Sequence, residues 1–133
     1  MIGAIIGDIV GSRFEFDNHR SKHFELFDKD CFVTDDSIMS LAVCDAILKA
    51  KDNYRELDNL AIQSMQEIGR KYPDCGYGGS FLRWMFTDDP QPYNSFGNGA
   101  AMRVSPCGFA ANSIGDAIDL SFLVTSISHN HPE

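Results

Sequence analysis

The chain contains no Cys-x-x-Cys pair, no Gly-Lys-Ser/Thr step and no apolar run long enough to span a membrane. A tetrathiolate zinc site, a Walker phosphate loop and a transmembrane helix are therefore excluded as readings of these residues. Basic side chains are scarce as well. Eleven Lys and Arg stand against nineteen Asp and Glu, a formal net charge of -8 that repels duplex nucleic acid. Cys31, Cys44, Cys75 and Cys107 are widely separated, so a reduced cytoplasmic setting is expected in place of a disulfide framework. The apolar start Met1 to Ile6 lacks a basic flank and meets Asp8 soon after, which fits neither a signal peptide nor a membrane span. Alternating apolar and polar positions are almost absent, so strands are not expected.

What the sequence does hold is helical periodicity in a chain of single-domain length, 133 residues with 44% hydrophobic content. Five helical stretches can be read, and the fold class is all-α. In the first, Gly3, Gly7 and Gly11 recur every four residues and leave one face as bare backbone, open to close packing. Residues 16–31 are polar and aperiodic and read as a loop. A second helix spans about Asp35 to Lys49, with Ile38, Leu41, Cys44 and Leu48 as its apolar run; a third spans about Glu56 to Lys71. Cys75 to Ser80 is a glycine-rich turn before the short apolar piece Phe81 to Phe86. A fourth main helix is expected from Ala100 and a fifth from Ile114, the latter stacking Ala117, Ile118, Ser121, Val124 and Ser128.

Thr34-Asp35-Asp36-Ser37 opens the second helix with two carboxylates flanked by hydroxyls. Hard oxygen donors on a rigid helix start suit a magnesium-type cation. Helix capping accounts for the same residues, since Thr is a good N-cap and acids suit the positive end of the helix dipole. Thr87-Asp88-Asp89 repeats the tripeptide ahead of Pro90 and reads as a plain loop. Asp8 sits among Ile5, Ile6, Ile9 and Val10 and needs a partner, either a helix start, a cationic side chain or a metal. Asp8, Ser12 and Glu15 share a face if the first helix reaches Phe16. Gly97-Asn98-Gly99 with Arg103 a turn further on can cradle a phosphate, as can Gly78-Gly79-Ser80, although ordinary turns have the same composition. His129 and His131 lack a third soft ligand for zinc, and the segment from Asp28 fails the EF-hand pattern.

Taken in order, Gly7-Asp8-Ile9-Val10-Gly11-Ser12 with Glu15, Thr34-Asp35-Asp36-Ser37, Gly97-Asn98-Gly99-Ala100-Ala101-Met102-Arg103 and His129-Asn130-His131-Pro132-Glu133 resemble the ADP-ribosylglycohydrolase family. The resemblance implies an all-α, orthogonal helical domain with a two-magnesium centre that hydrolyses the glycosidic bond to ADP-ribose. Thr34, Asp35 and Asp36 would be metal ligands, Glu15 and Asp35 catalytic, and Asp8 a structural acid. Gly78, Gly79, Ser80, Gly97, Asn98, Gly99, Met102 and His129 would contact the ADP-ribose.

One departure qualifies that expectation. The family completes its metal centre with Asp-x-Asp-Ser/Thr near its C-terminal end, and this chain has no such step. Asp28-Lys29-Asp30-Cys31 comes nearest and lacks the hydroxyl. The resemblance therefore covers the N-terminal part of the domain, about half. Weak metal binding and little hydrolysis are expected of these residues alone, with function restored if a second chain or a second copy supplies the rest. A non-catalytic ADP-ribose-binding or structural remnant is the competing expectation.

Overall fold

The computed structural model describes residues 1–95 and 97–132, so Phe96 of the glycine loop and Glu133 of the last motif lie outside the described residues. Six α-helices and three short 3-10 turns form the described chain, and no strand occurs among these residues. The helices are α1 (Ile2–Gly11), α2 (Asp35–Ala50), α3 (Leu57–Gly69), α4 (Gly79–Phe86), α5 (Ser105–Ala110) and α6 (Ile114–Ser126). Thr34 caps α2 by accepting from the Asp36 N–H, and Ser113 caps α6 by accepting from that of Asp116. Lys51 closes α2 in the left-handed conformation.

The core lies between α2, α3, α4 and α6. Its α2 face is Ile38, Met39, Ala42, Val43, Ala46 and Ala50, and its α3 face is Leu57, Ala61 and Met65. Small residues on the facing stripes let α2 and α3 approach closely. Phe81, Trp84 and Met85 of α4, with Leu120, Val124 and Ile127 of α6 and its C-terminal end, complete the cluster. Trp84 Nε1 donates to Ile127 O at 3.1 Å, which ties α4 to the end of α6 inside the core.

Several sequence expectations are corrected here. On α2, the larger apolar residues Leu41 and Leu48 are exposed, Leu48 at 71%, and the buried stripe is the alanine-rich one beside them. On α6 the expected stripe holds at Val124 and Ser128, which are buried, but Ile118 is exposed and Leu120 and Ile127 are buried in addition. The Gly3, Gly7 and Gly11 face receives no neighbour, since a Cβ built at each meets nothing within 4 Å. The close packing expected there is absent. The first helix ends at Gly11, and a 3-10 turn, Ser12–Phe14, carries the chain toward Glu15. No main helix starts at Ala100. A 3-10 turn, Ala101–Arg103, comes first, and α5 begins at Ser105 with Pro106 in its first turn, where a missing N–H costs nothing.

The segment 16–31 is the expected loop, and it is tied down. Phe14, His19 and Phe24 form a ring cluster with centroids 4.9 to 5.8 Å apart. Arg13 pairs with Asp28 and donates to Glu25 O, and Phe32 N donates to Ser12 Oγ at 3.0 Å.

Candidate functional site

Asp8 finds its partner at a helix start. Its Oδ2 accepts from Thr34 N at 3.1 Å and Ser37 N at 3.3 Å, and its carboxylate also accepts from both hydroxyls of those residues. A carboxylate taking four donors at the positive end of α2 is a charge-assisted cap that binds α1 to α2. Of the partners open to Asp8 from sequence, the helix N-terminus is the one realised.

The same cap orients the two following acids. Asp35 N donates to Cys75 O at 2.7 Å, so the start of α2 is held against the glycine turn 75–79. Gly76 takes φ +94°, a left-handed conformation that only glycine adopts freely, and a Cβ there would lie 3.6 Å from Asp35 Oδ1. Burial, then repulsion from Asp36, raises the Asp35 carboxyl to about 6. Burial, then Asp8, raises Asp36 as well. No Lys or Arg forms an ion pair with Asp8, Asp35, Asp36 or Glu15 among the described residues.

Two cavities meet at this acidic corner. The first, about 240 Å³, is lined by Asp35, by Gly78, Gly79 and Ser80, by Gly97, Asn98, Gly99 and Met102, and by His129. Every residue the sequence nominated for ADP-ribose contact faces this one space. The second, about 370 Å³, is lined by Asp8, Ser12, Glu15, Thr34, Asp36 and again Asn98. Glu15 is solvent-exposed at its rim. The two neighbouring aspartates thus open into different cavities, with Asn98 between them.

The far wall of the first cavity contains groups that periodicity did not single out. Arg103 is 0% exposed. Its Nη2 donates to Val124 O at 3.0 Å and Ser128 Oγ at 2.7 Å, its guanidinium lies 5.5 Å from the Phe81 ring centroid, and its Nε and Nη1 have no hydrogen-bond partner. Burial holds this guanidinium down to about 10. Ser128 Oγ lies 2.8 Å from His129 Nδ1, and burial, then the Arg103 charge, pushes the imidazole down to about 4. The opposite strip of chain is fixed to the same segment, because Tyr93 N donates to Ser128 O and Asn94 N to Asn130 Oδ1. Arg103 was legible only as part of a phosphate cradle. Tyr93, Phe81 and Ser128 had no signal beyond apolar or stacking positions.

The donor set at the α2 start fits a hard divalent cation in chemistry and charge: Thr34 Oγ1 with the Asp35 and Asp36 carboxylates, which no Lys or Arg among the described residues neutralises and whose charged forms are disfavoured first by burial and then by neighbouring carboxylates. Convergence is incomplete, since among the described residues no three His, Cys, Asp or Glu side chains group as a metal site. None of the helices of the described residues is long and apolar enough to cross a membrane.

Paired cavities divided by an acidic helix start, one of them walled by glycine turns over a buried cation, define a helical protein with a candidate small-ligand site. Over residues 1–133 the sequence matches the ADP-ribosylglycohydrolase family, and the chain belongs to that family. It is similar to the ADP-ribosylhydrolase ARH3 of Homo sapiens, 28% identical with 97% of this chain and 43% of that protein covered. The ARH3 proteins of Mus musculus and Xenopus tropicalis are also 28% identical, with 97% of this chain covered and 42% and 43% of theirs. The chain thus spans less than half the length of these curated relatives.

Proposed function

We propose that this chain provides the acidic and glycine-lined part of a site that hydrolyses the glycosidic bond between ADP-ribose and a protein or small-molecule acceptor. The observation that carries the reading is the meeting of the two cavities at Asn98. A buried, uncompensated Arg103 beneath the glycine turns favours an anionic ligand such as a diphosphate in a chain that is otherwise acidic. The carboxylates of Glu15 and Asp36 border the adjoining space, where a scissile bond would project.

In this reading the backbone of Gly78 to Ser80 and Gly97 to Gly99, with Met102 and His129, holds and orients the ADP-ribose. Glu15 takes a proton from the attacking water, and Asp35 stands at the ligand's edge of the acid pair. Thr34, Asp35 and Asp36 would hold magnesium, two ions in the complete site. When bound, magnesium supplies a Lewis acid that lowers the pKa of water and organises ribose hydroxyls. Three ligand residues fall short of what two six-coordinate ions need unless water supplies the remainder, so this reading expects the isolated chain to be weakly active or inactive. A second chain or a second copy would complete it, in a reduced cytoplasmic setting that fits four free cysteines.

The incomplete convergence of acids favours one alternative, a non-catalytic ADP-ribose-binding or structural remnant. Calorimetric titration with ADP-ribose, with and without magnesium, separates the two. The enzyme reading expects magnesium to tighten ADP-ribose binding and Asp35→Ala with Asp36→Ala to abolish that gain; indifference to both supports the remnant. Release of ADP-ribose from modified arginine and serine substrates, assayed with and without magnesium, then tests catalysis directly.

A further inference from the structure

Arg103, Ser128 and His129 form a chain of hydrogen bonds whose polarity can be deduced from donor and acceptor inventories. A guanidinium only donates, so at 2.7 Å Arg103 Nη2 donates and Ser128 Oγ accepts. Ser128 is fully buried, and among the described residues its Oγ has one other partner, His129 Nδ1 at 2.8 Å. A serine hydroxyl carries a single proton, and burial leaves no solvent to take it. If Nδ1 donated, that hydroxyl proton would be stranded. The proton therefore goes to Nδ1, which must be an unprotonated acceptor.

The other ring nitrogen then carries the hydrogen. His129 Nε2 lies at the glycine wall, 3.2 Å from where a Cβ on Gly99 would stand, and His129 lines the first cavity. A Cβ at 99 would crowd that approach. Backbone bonds reinforce the placement, since His129 N donates to Thr125 O at 2.9 Å and the Tyr93 ring packs 6.0 Å from the imidazole.

We infer that Arg103 and Ser128 are positioning residues that fix His129 in its Nε2–H form, making it a neutral hydrogen-bond donor to an oxygen of the ligand in the glycine-lined cavity. The identity of that ligand rests on the ADP-ribose reading above; the tautomer does not. Burial and the nearby Arg103 charge both disfavour a proton on Nδ1, so the imidazole stays neutral through physiological pH. A neutral donor binds a ribose or phosphate oxygen without placing a second cation beside Arg103.

Nitrogen-detected magnetic resonance on the full chain without ligand reads the tautomer. The expected spectrum has a pyridine-type Nδ1 and a protonated Nε2 for His129, unchanged between about pH 6 and 8. In Ser128→Ala the two nitrogen shifts move toward each other as the tautomers mix. A protonated Nδ1 in the unsubstituted chain, or a Ser128→Ala spectrum identical to it, overturns the inference. The unsubstituted chain gives a decisive answer even if the variant fails to fold. Adding ADP-ribose tests the donor role: its binding should shift the Nε2–H resonance, and binding that leaves this resonance unmoved overturns that role. Failure of ADP-ribose to bind at all counts against the functional reading instead, with the tautomer already measured.

Discussion

Asp8 has the largest structural consequence of any single side chain in the site, because four donors at the start of α2 converge on its carboxylate. Asp8→Asn keeps the size but removes the charge and turns one acceptor into a donor. It should lower stability by about 2–3 kcal/mol, the range for charge-assisted bonds, measured by urea unfolding. Asp35 and His129 make opposite pH contributions. Asp35, raised from 3.8 to about 6 on folding, adds stability that is fully present below 3.8 and is lost as pH rises through about 6. His129, lowered from 6.5 to about 4, adds stability that is present above 6.5 and is lost as pH falls through about 4. In metal-free buffer these two slopes oppose each other across nearly the same window. Urea midpoints from pH 4 to 6.5 should therefore rise more steeply in Asp35→Asn than in the parent chain and fall in His129→Gln. Parallel profiles for all three proteins would refute both shifts.

At the scale of elements, two glycines in helices predict opposite outcomes for one substitution. Gly7 of α1 has nothing within 4 Å of a built Cβ, so Gly7→Ala should stabilise the chain by about 0.5–1 kcal/mol through helix propensity alone. Gly69 at the end of α3 would place a Cβ 2.1 Å from Met85 Sδ and 3.1 Å from Met39 Cε. Overpacking there outweighs propensity, and Gly69→Ala should lose about 1 kcal/mol in the same thermal or urea experiment. These helices also indicate what the sequence made legible. Element existence was readable for α1, α2, α3 and α6, and the nominated ligand residues meet in one cavity, because turn glycines and capping acids carry their signal locally. The burial stripe of α2 was misread in part because size was taken for burial, with Leu41 and Leu48 exposed beside buried Ile38, whereas on α6 Ile118 is the exposed member of the expected stripe and Val124 and Ser128 are buried. Alanines, which the close α2 to α3 approach requires, give no periodic signal against nearby leucines. The Ser128 bridge was unreadable for another reason: its partner lies 25 residues upstream and meets it only through packing.

For the whole molecule, the uncovered apolar surface is the property most open to measurement. Ile114, Ile118 and Phe122 follow one another at intervals of four along α6, with Ile114 at 83% exposure, and Ile2 and Ile6 are exposed on α1. Contiguous apolar patches on a soluble helix promote association. Light scattering after size exclusion should show concentration-dependent oligomers, reduced in Ile118→Glu, whose unfolding free energy from urea titration should stay within about 0.5 kcal/mol of the parent chain. A monomer at every concentration would argue against the patch as a contact surface. The bonds from Tyr93 N to Ser128 O and from Asn94 N to Asn130 Oδ1 have a separate consequence for how the first cavity can change shape. They make the strand of chain leading to the glycine loop and the histidine segment a single jamb, so a ligand too large for the opening cannot enter by parting these two walls.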